Sequence, residues 1–263
     1  MKKLLYGVMF AWLACGTAFA SDEDLFVLDT SDPLYVLQRS SFLSVSNIEA
    51  GNGGYVSKFD HDYSVLLLGQ KFAFGVNDRF NIATNIRYQI GFSHRGHEDE
   101  HDLYIKGRGF SAEFDGLYRL GLPDSNSAHI TSDVLFGFRL AKNRSLMDYG
   151  PEFAKTAYFT GLRFGRQWTG FSLAGTVKST WIFDGHSGLS YIDVIPEVYF
   201  RMINDWRLGI GGVHRVATNS EFNRDWLQGK VIKQYGHTQY VVSYAYELRR
   251  SDSTFGFNLN LLF

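Results

Sequence analysis

Charged residues recur in this sequence at even spacings. Glu113, Asp115 and Arg119 share one parity, as do Asp133 and Arg139, and again Asp193, Glu197 and Arg201. Arg87, Arg163, Lys178, Asp184, Arg207, Arg215, Glu247 and Arg249 extend the set. In an extended chain, residues two apart lie on one face, so this spacing gathers the charges on one side of a sheet. Acids and bases gathered there can neutralise one another across neighbouring strands. They can also line a polar passage, whose slight basic excess would favour small anions. Registers that unite opposite signs set Glu113 beside Arg139, Asp133 beside Arg119, Arg87 beside Glu113, Lys178 beside Glu197 and Asp193 beside Arg215.

Histidines form the second set. His94, His97 and His101 occur among Glu98, Asp99, Glu100 and Asp102, and His61 stands between Asp60 and Asp62. Imidazole with carboxylate suits zinc, copper or nickel. In a loop, however, this spacing fixes no ligand geometry, so the segment is read as a solvated loop and no metal or other cofactor is assigned. His214 is expected on the apolar side of its strand, where a paired serine would suggest lipid cleavage. The outward positions expected next to it, Ile192, Val194 and Val198, hold no nucleophile, and Ser179 is two strands away. Without a base and nucleophile within reach, the chain is expected not to be an enzyme.

The elements that must hold these residues are strands. From Phe80 to Phe92, one face carries Phe80, Ile82, Thr84, Ile86, Tyr88, Ile90 and Phe92, and the other Asn81, Ala83, Asn85, Arg87, Gln89 and Gly91. That is period two, an oily side and a polar one. The same alternation predicts strands over 63–76, 80–93, 107–120, 129–141, 157–166, 171–183, 191–202, 206–217, 238–249 and 254–263. A less regular one is expected within 35–48 and a short one near Lys230 to Gln234. Together these make about 12 strands, with 10 as the alternative. Tight turns at Val76–Arg79, Arg166–Gly170 and Ile203–Asp205 alternate with longer polar segments at 93–107, 141–156, 184–190 and 218–229. Short turns on one rim and long loops on the other are how outer-membrane barrels are built.

Composition narrows the classes. The net charge is −1, which argues against a nucleic-acid partner. Lys2, Lys3, the apolar run from Leu4 to Ala14 and Ala18-Phe19-Ala20 read as a signal peptide over 1–20. Cleavage there removes Cys15, the one cysteine of the sequence, and with it any disulfide or thiol chemistry. No later stretch has the ~18 consecutive apolar residues of a transmembrane helix. Residues 21–34, acidic at the start, are expected as a periplasmic tail and 35–263 as one barrel domain.

The last ten residues alternate Phe255, Phe257, Leu259, Leu261 and Phe263 with Gly256, Asn258 and Asn260. This end resembles the C-terminal insertion signal of bacterial outer-membrane β-barrel proteins. Phe72 to Tyr88, with its Gly75-Val76-Asn77-Asp78-Arg79 turn, is similar to small transporters of the phenol-degradation-pathway type. The first resemblance implies an all-β, closed, antiparallel transmembrane barrel in the bacterial outer membrane, with short periplasmic turns and longer extracellular loops. Its partners would be the lipid bilayer, lipopolysaccharide, the barrel-assembly machinery through the last strand, and small solutes. A soluble periplasmic sandwich also alternates, but nearly every strand here has one equally aromatic face, too many for one dry core. Pro196 lies inside a predicted strand, where it deletes a ladder hydrogen bond, and a bulge is expected there. The first functional reading is a narrow polar channel for passive diffusion. Two others stay open: a non-conducting barrel whose loops bind a partner or surface, and a lipid-directed enzyme.

Overall fold

The structure, a computed structural model, describes residues 41–54, 62–77, 79–97, 100–120, 131–142, 155–168, 170–183, 189–204, 206–236, 238–249 and 253–262. The proposed signal peptide and tail, His61 and Phe263 lie outside the described residues. Twelve strands are present among those described: β1 (Ser41–Gly54), β2 (Asp62–Gly75), β3 (Phe80–His97), β4 (Glu100–Arg119), β5 (Thr131–Lys142), β6 (Lys155–Gln167), β7 (Phe171–Ile182), β8 (Ser190–Arg201), β9 (Trp206–Ala217), β10 (Arg224–Tyr235), β11 (Thr238–Glu247) and β12 (Ser253–Leu262). Each pairs antiparallel with its chain neighbours, and β1 also pairs with β12, so the sheet closes into a barrel. Closure leaves no edge and pairs the backbone without help from water.

The side chains are sorted by the pleat. Phe72, Ile86, Phe110, Leu162, Val216 and Tyr244 are large, apolar and exposed on the outer surface. Asn81, Arg119, Asp133, Arg163, Asp193, Gln239 and Glu247 are buried on the inner one. A water-soluble protein has the reverse arrangement. The exposed belt is continuous because aromatics cover outward glycines. A β-carbon at Gly116 would lie 2.5 Å from the Phe136 ring, and one at Gly175 would lie 2.6 Å from Phe164. Rings also stack along the belt, Phe114 on Phe138 at 4.9 Å and Tyr158 on Trp181 at 4.8 Å between centroids.

Several expectations need correction. The first strand lies at Ser41–Gly54, further along than the predicted 35–48. The segment 93–107 is not a loop, because β3 and β4 continue as a paired ladder to His97 and Glu100. Its strands run past the height that lipid constrains, so nothing forces apolar alternation on the sequence there. A register shift beside Gly91 and Phe92 marks the change. The segment 218–229 is likewise mostly strand, with β10 starting at Arg224 after a short 3-10 turn at Ser220–Phe222. Pro196 needs no bulge. Pairing of β8 with β9 passes from Val194↔His214 to Glu197↔Gly211 in unbroken register, and the ladder simply omits Ile195 and Pro196.

One inward glycine tests this packing. A β-carbon at Gly137 would overlap the Phe114 carbonyl and the Phe159 ring, whereas one at Gly170 would meet nothing within 4 Å. Gly137→Val should therefore cost about 1–3 kcal/mol through overpacking and lower the thermal unfolding midpoint in detergent. Gly170→Ala should leave that midpoint unchanged.

Candidate functional site

The inner wall is the candidate site, because period two delivers the charged residues to it. Asp133 of β5 is in register with Arg119 of β4 and Arg163 of β6. Arg119 donates from Nε and Nη2 to the two carboxylate oxygens of Asp133, at 2.8 and 3.2 Å, and Arg163 Nη2 donates to Asp133 Oδ2 at 3.1 Å. The forked geometry matches guanidinium to carboxylate. Side-chain exposure is 1% for Arg119 and Asp133 and 2% for Arg163, so this level of the interior is dry. Arg139 is in register with Glu113, and its Nη1 lies 3.9 Å from Glu113 Oε2. Arg139 Nε also donates to the Lys155 carbonyl at 3.3 Å.

Across the barrel, Arg215 of β9 grips Asp193 of β8 through Nε and Nη2 at 2.7 and 3.1 Å, and its guanidinium lies 3.9 Å from the Tyr191 ring centre. Three of the predicted pairings therefore match the registers: Asp133 with Arg119, Glu113 with Arg139, and Asp193 with Arg215. Two do not. Arg87 stands opposite Ser111, and Glu113 opposite Asn85, because the β3–β4 register lies two residues from the one that would pair Arg87 with Glu113. With its amide oriented to suit, Asn85 accepts from Arg87 Nε and Nη2 at 3.0 and 2.8 Å. Lys178 stands opposite Asp193 instead of Glu197, but Arg215 occupies that carboxylate and Lys178 Nζ lies 5.1 Å from the Phe159 ring centre. Asp115 is half-buried between Ala83 and Gly137, and Arg201 stands opposite Arg207.

One cluster was missed from sequence. Glu197 Oε1 accepts from Tyr199 Oη at 3.0 Å, Gln228 Nε2 at 3.2 Å and Lys230 Nζ at 2.9 Å. Glu197 and Tyr199 lie on β8 and their partners on β10, so they must reach over β9. They can because the intervening residues are Gly211 and Gly209. A β-carbon at Gly211 would sit 2.7 Å from the Pro196 carbonyl and 2.9 Å from Glu197 Cγ, and one at Gly209 would sit 2.7 Å from the Tyr199 ring. Two glycines of one parity inside a strand were the signal, since they mark a close approach.

The histidines fall elsewhere. His94, His97 and His101 lie on the paired β3–β4 extension, with His94 opposite Leu103 and His101 opposite Gly96. Their side chains are outside the described residues, and among the described residues no group of three metal-ligating side chains occurs. His214 faces outward, as its parity predicts, and its Nδ1 lies 2.5 Å from Asp225 Oδ1. Arg249 Nε approaches the other oxygen of Asp225 at 2.5 Å.

No protein-family model matches the sequence, and no curated protein is similar to it. Solved structures do share the fold. An outer-membrane channel from Pseudomonas putida F1 superposes with a TM-score of 0.55 at 10% identity, covering 93% of this chain and 100% of that one. The transport unit of the autotransporter AIDA-I from Escherichia coli gives 0.54 at 9% identity, covering 90% and 93%. The translocator domain of the autotransporter NalP from Neisseria meningitidis gives 0.52 at 10% identity, covering 86% and 88%. The class follows. This chain has the fold of bacterial outer-membrane β-barrels, as its final strand suggested, with a hydrocarbon-facing belt outside and charges within.

The dry Arg119–Asp133–Arg163 level sets a clear expectation. Asp133→Asn leaves two buried guanidinium groups without their carboxylate, and breaking such a pair costs about 3–5 kcal/mol. Glu113→Gln, at the looser 3.9 Å contact, should cost less. Thermal unfolding of both variants in detergent checks the order.

Proposed function

We propose that this protein is a narrow, polar-lined outer-membrane channel through which small solutes diffuse passively. The observation that carries this reading is the partial exposure of inward side chains on the barrel wall. Gln228, Lys230, Ser243, Ala245 and Asn258 face inward at mid-height on β10, β11 and β12, yet each is only half-buried. An inward side chain away from the rims can be exposed only to space inside the barrel. On the opposite wall, from β3 to β7, Asn81, Asn85, Ser111, Arg119, Asp133, Ala157, Arg163 and Thr180 are buried, whereas Arg87, Glu113, Asp115 and Lys178 are half-buried like Lys230. A water path would then pass the half-buried side chains, Lys230, Gln228 and Glu113 among them, while the buried ones brace the wall. Likeness in fold to a channel from Pseudomonas putida F1 supports the same reading. Of the charges assigned to the lumen from sequence, Arg87, Glu113, Asp115, Lys178, Arg201 and Arg215 are half-buried and would line this path, with Lys230 added, whereas Arg119, Asp133, Arg139, Arg163, Asp193 and Glu197 are buried and would brace the wall.

In this reading the rim with the short turns faces the periplasm and the β3–β4 extension faces outward, where lipopolysaccharide surrounds it. The alternating last strand, β12, is the segment for the barrel-assembly machinery. The dry Arg119–Asp133–Arg163 level favours a second reading, a sealed barrel whose projecting β3–β4 hairpin binds a partner.

Planar bilayers separate the two. Purified protein should insert and give small, discrete conductance steps. A barrel that inserts, verified by its heat-dependent gel mobility, and never conducts would sink the channel reading. Gly211→Leu, which drives a side chain into Glu197 and Gln228, should reduce the step size of the folded protein.

A further inference from the structure

Two outward glycines of the lipid-facing belt are roofed by rings, Gly116 by Phe136 and Gly175 by Phe164. Gly212 of β9 and Gly229 of β10 depart from that pattern. Beyond their chain neighbours and among the described residues, a β-carbon at Gly212 would meet only the Trp226 carbonyl, at 3.1 Å. One at Gly229 would meet only the Gly209 carbonyl, at 4.0 Å. Both glycines have the outward parity of their strands. The register sets Gly212 beside Leu227, and Gly229 between Ile210 and Tyr244. Those three neighbours are large and exposed. The belt therefore has a furrow that steps from Gly212 across to Gly229 between taller side chains. Neighbouring strands lie ~4.8 Å apart, so a row without side chains leaves room for a hydrocarbon chain.

The top of this furrow is polar. His214 stands two residues above Gly212 on the same face of β9, in register with Asp225 of β10. Asp225 meets His214 Nδ1 with Oδ1 and Arg249 Nε with Oδ2. One carboxylate thus holds both basic side chains by a single nitrogen each. Among the described residues, Arg249 Nη1 and Nη2 and His214 Nε2 make no hydrogen bond or ion pair. These side chains are also open to the outside, at 50% exposure for Arg249 and 55% for His214. A guanidinium with both Nη groups open is a fork for phosphate oxygens. Basic groups above an apolar furrow match one kind of molecule, with phosphate at one end and hydrocarbon at the other.

We propose that Arg249, His214 and the Gly212–Gly229 furrow bind a phosphorylated lipid of the outer leaflet, the lipid A end of lipopolysaccharide. Arg249 takes a phosphate, His214 Nε2 takes a neighbouring headgroup oxygen, and one acyl chain lies over the two glycines. Asp225 is a positioning residue that keeps the two basic groups together. The choice of leaflet rests on the orientation given above, with the short turns in the periplasm. The site lies outside the lumen and does not depend on conduction.

Thermal unfolding of the full chain in detergent tests it. Diphosphorylated lipid A should raise the melting temperature. Dephosphorylated lipid A, phosphatidylglycerol and inorganic phosphate at the same concentration should not match that rise. Arg249→Gln should need about tenfold more lipid A for the same effect. Gly229→Leu, whose β-carbon has space, should weaken binding similarly by filling the furrow, and Gly229→Ala serves if it does not fold. In planar bilayers the folded variants should behave as wild type does, whether or not the barrel conducts. No rise in wild type, or an equal rise in both folded variants, overturns the site. An equal rise from any of the three control compounds overturns the assignment to lipid A. A loss confined to one variant overturns the half of the site that the other variant probes.

Discussion

Hydrocarbon offers the backbone no hydrogen-bond partner. Every amide and carbonyl inside it must be paired within the protein, and the β1–β12 ladder is what completes that pairing here. Once the sheet is closed, the pleat decides everything else. One parity of each strand is handed to lipid and must be apolar, while the other is handed to a shared interior. Polar and charged groups placed within the bilayer have one place to go. Crowded together in a small low-dielectric volume, they must neutralise one another, and the two-pronged grip of Arg119 on Asp133, completed by Arg163, is the outcome.

Glycine governs how the two surfaces pack. Outside, Phe136 and Phe164 lie over Gly116 and Gly175 and keep the lipid-facing surface smooth. Inside, Gly209 and Gly211 open a shallow trough across β9, so that residues of β8 can bond to residues of β10. A contact that skips a strand joins three strands at once. It ties together the seam where Ile195 and Pro196 leave the β8–β9 ladder incomplete. The missing ladder bonds and the trough lie side by side, and the second compensates for the first.

Much of this was legible in the sequence, and the misses have physical causes. β2 to β9, β11 and β12 overlap the spans that alternation predicts, because lipid demands an oily residue at every second position of a spanning strand. β10 was nearly invisible for a specific reason. At its start Asp225 points outward and Trp226 inward, the reverse of the usual pattern, and only the flanking His214 and Arg249 make an outward acid tolerable. The β3–β4 extension was read as loop because the rule that reveals strands stops applying above the bilayer. Pairings followed where the hairpin register was regular, as for Asp133 with Arg119. They failed where the hairpin register lay two residues from the expected one, which sets Arg87 beside Ser111 instead of Glu113. The Glu197–Lys230 contact needed knowledge of what lay between its strands, which one-strand patterns do not contain.

The outward acid also measures the slab in which the barrel sits. His214 and Asp225 are register partners on the outer surface, and Trp206 and Lys233 are partners eight residues below them. Between the two pairs, only Leu208, Ile210 and Gly212 of β9 and Leu227, Gly229 and Val231 of β10 have the outward parity. Eight residues at ~3.3 Å, tilted by ~40°, rise about 20 Å. On this flank the polar couple above and the indole–ammonium couple below cap an apolar strip thinner than an average bilayer core. The bacterial outer membrane is itself thinner than most. A thicker host bilayer would have to pinch inward or let the barrel tip to keep Asp225 wet.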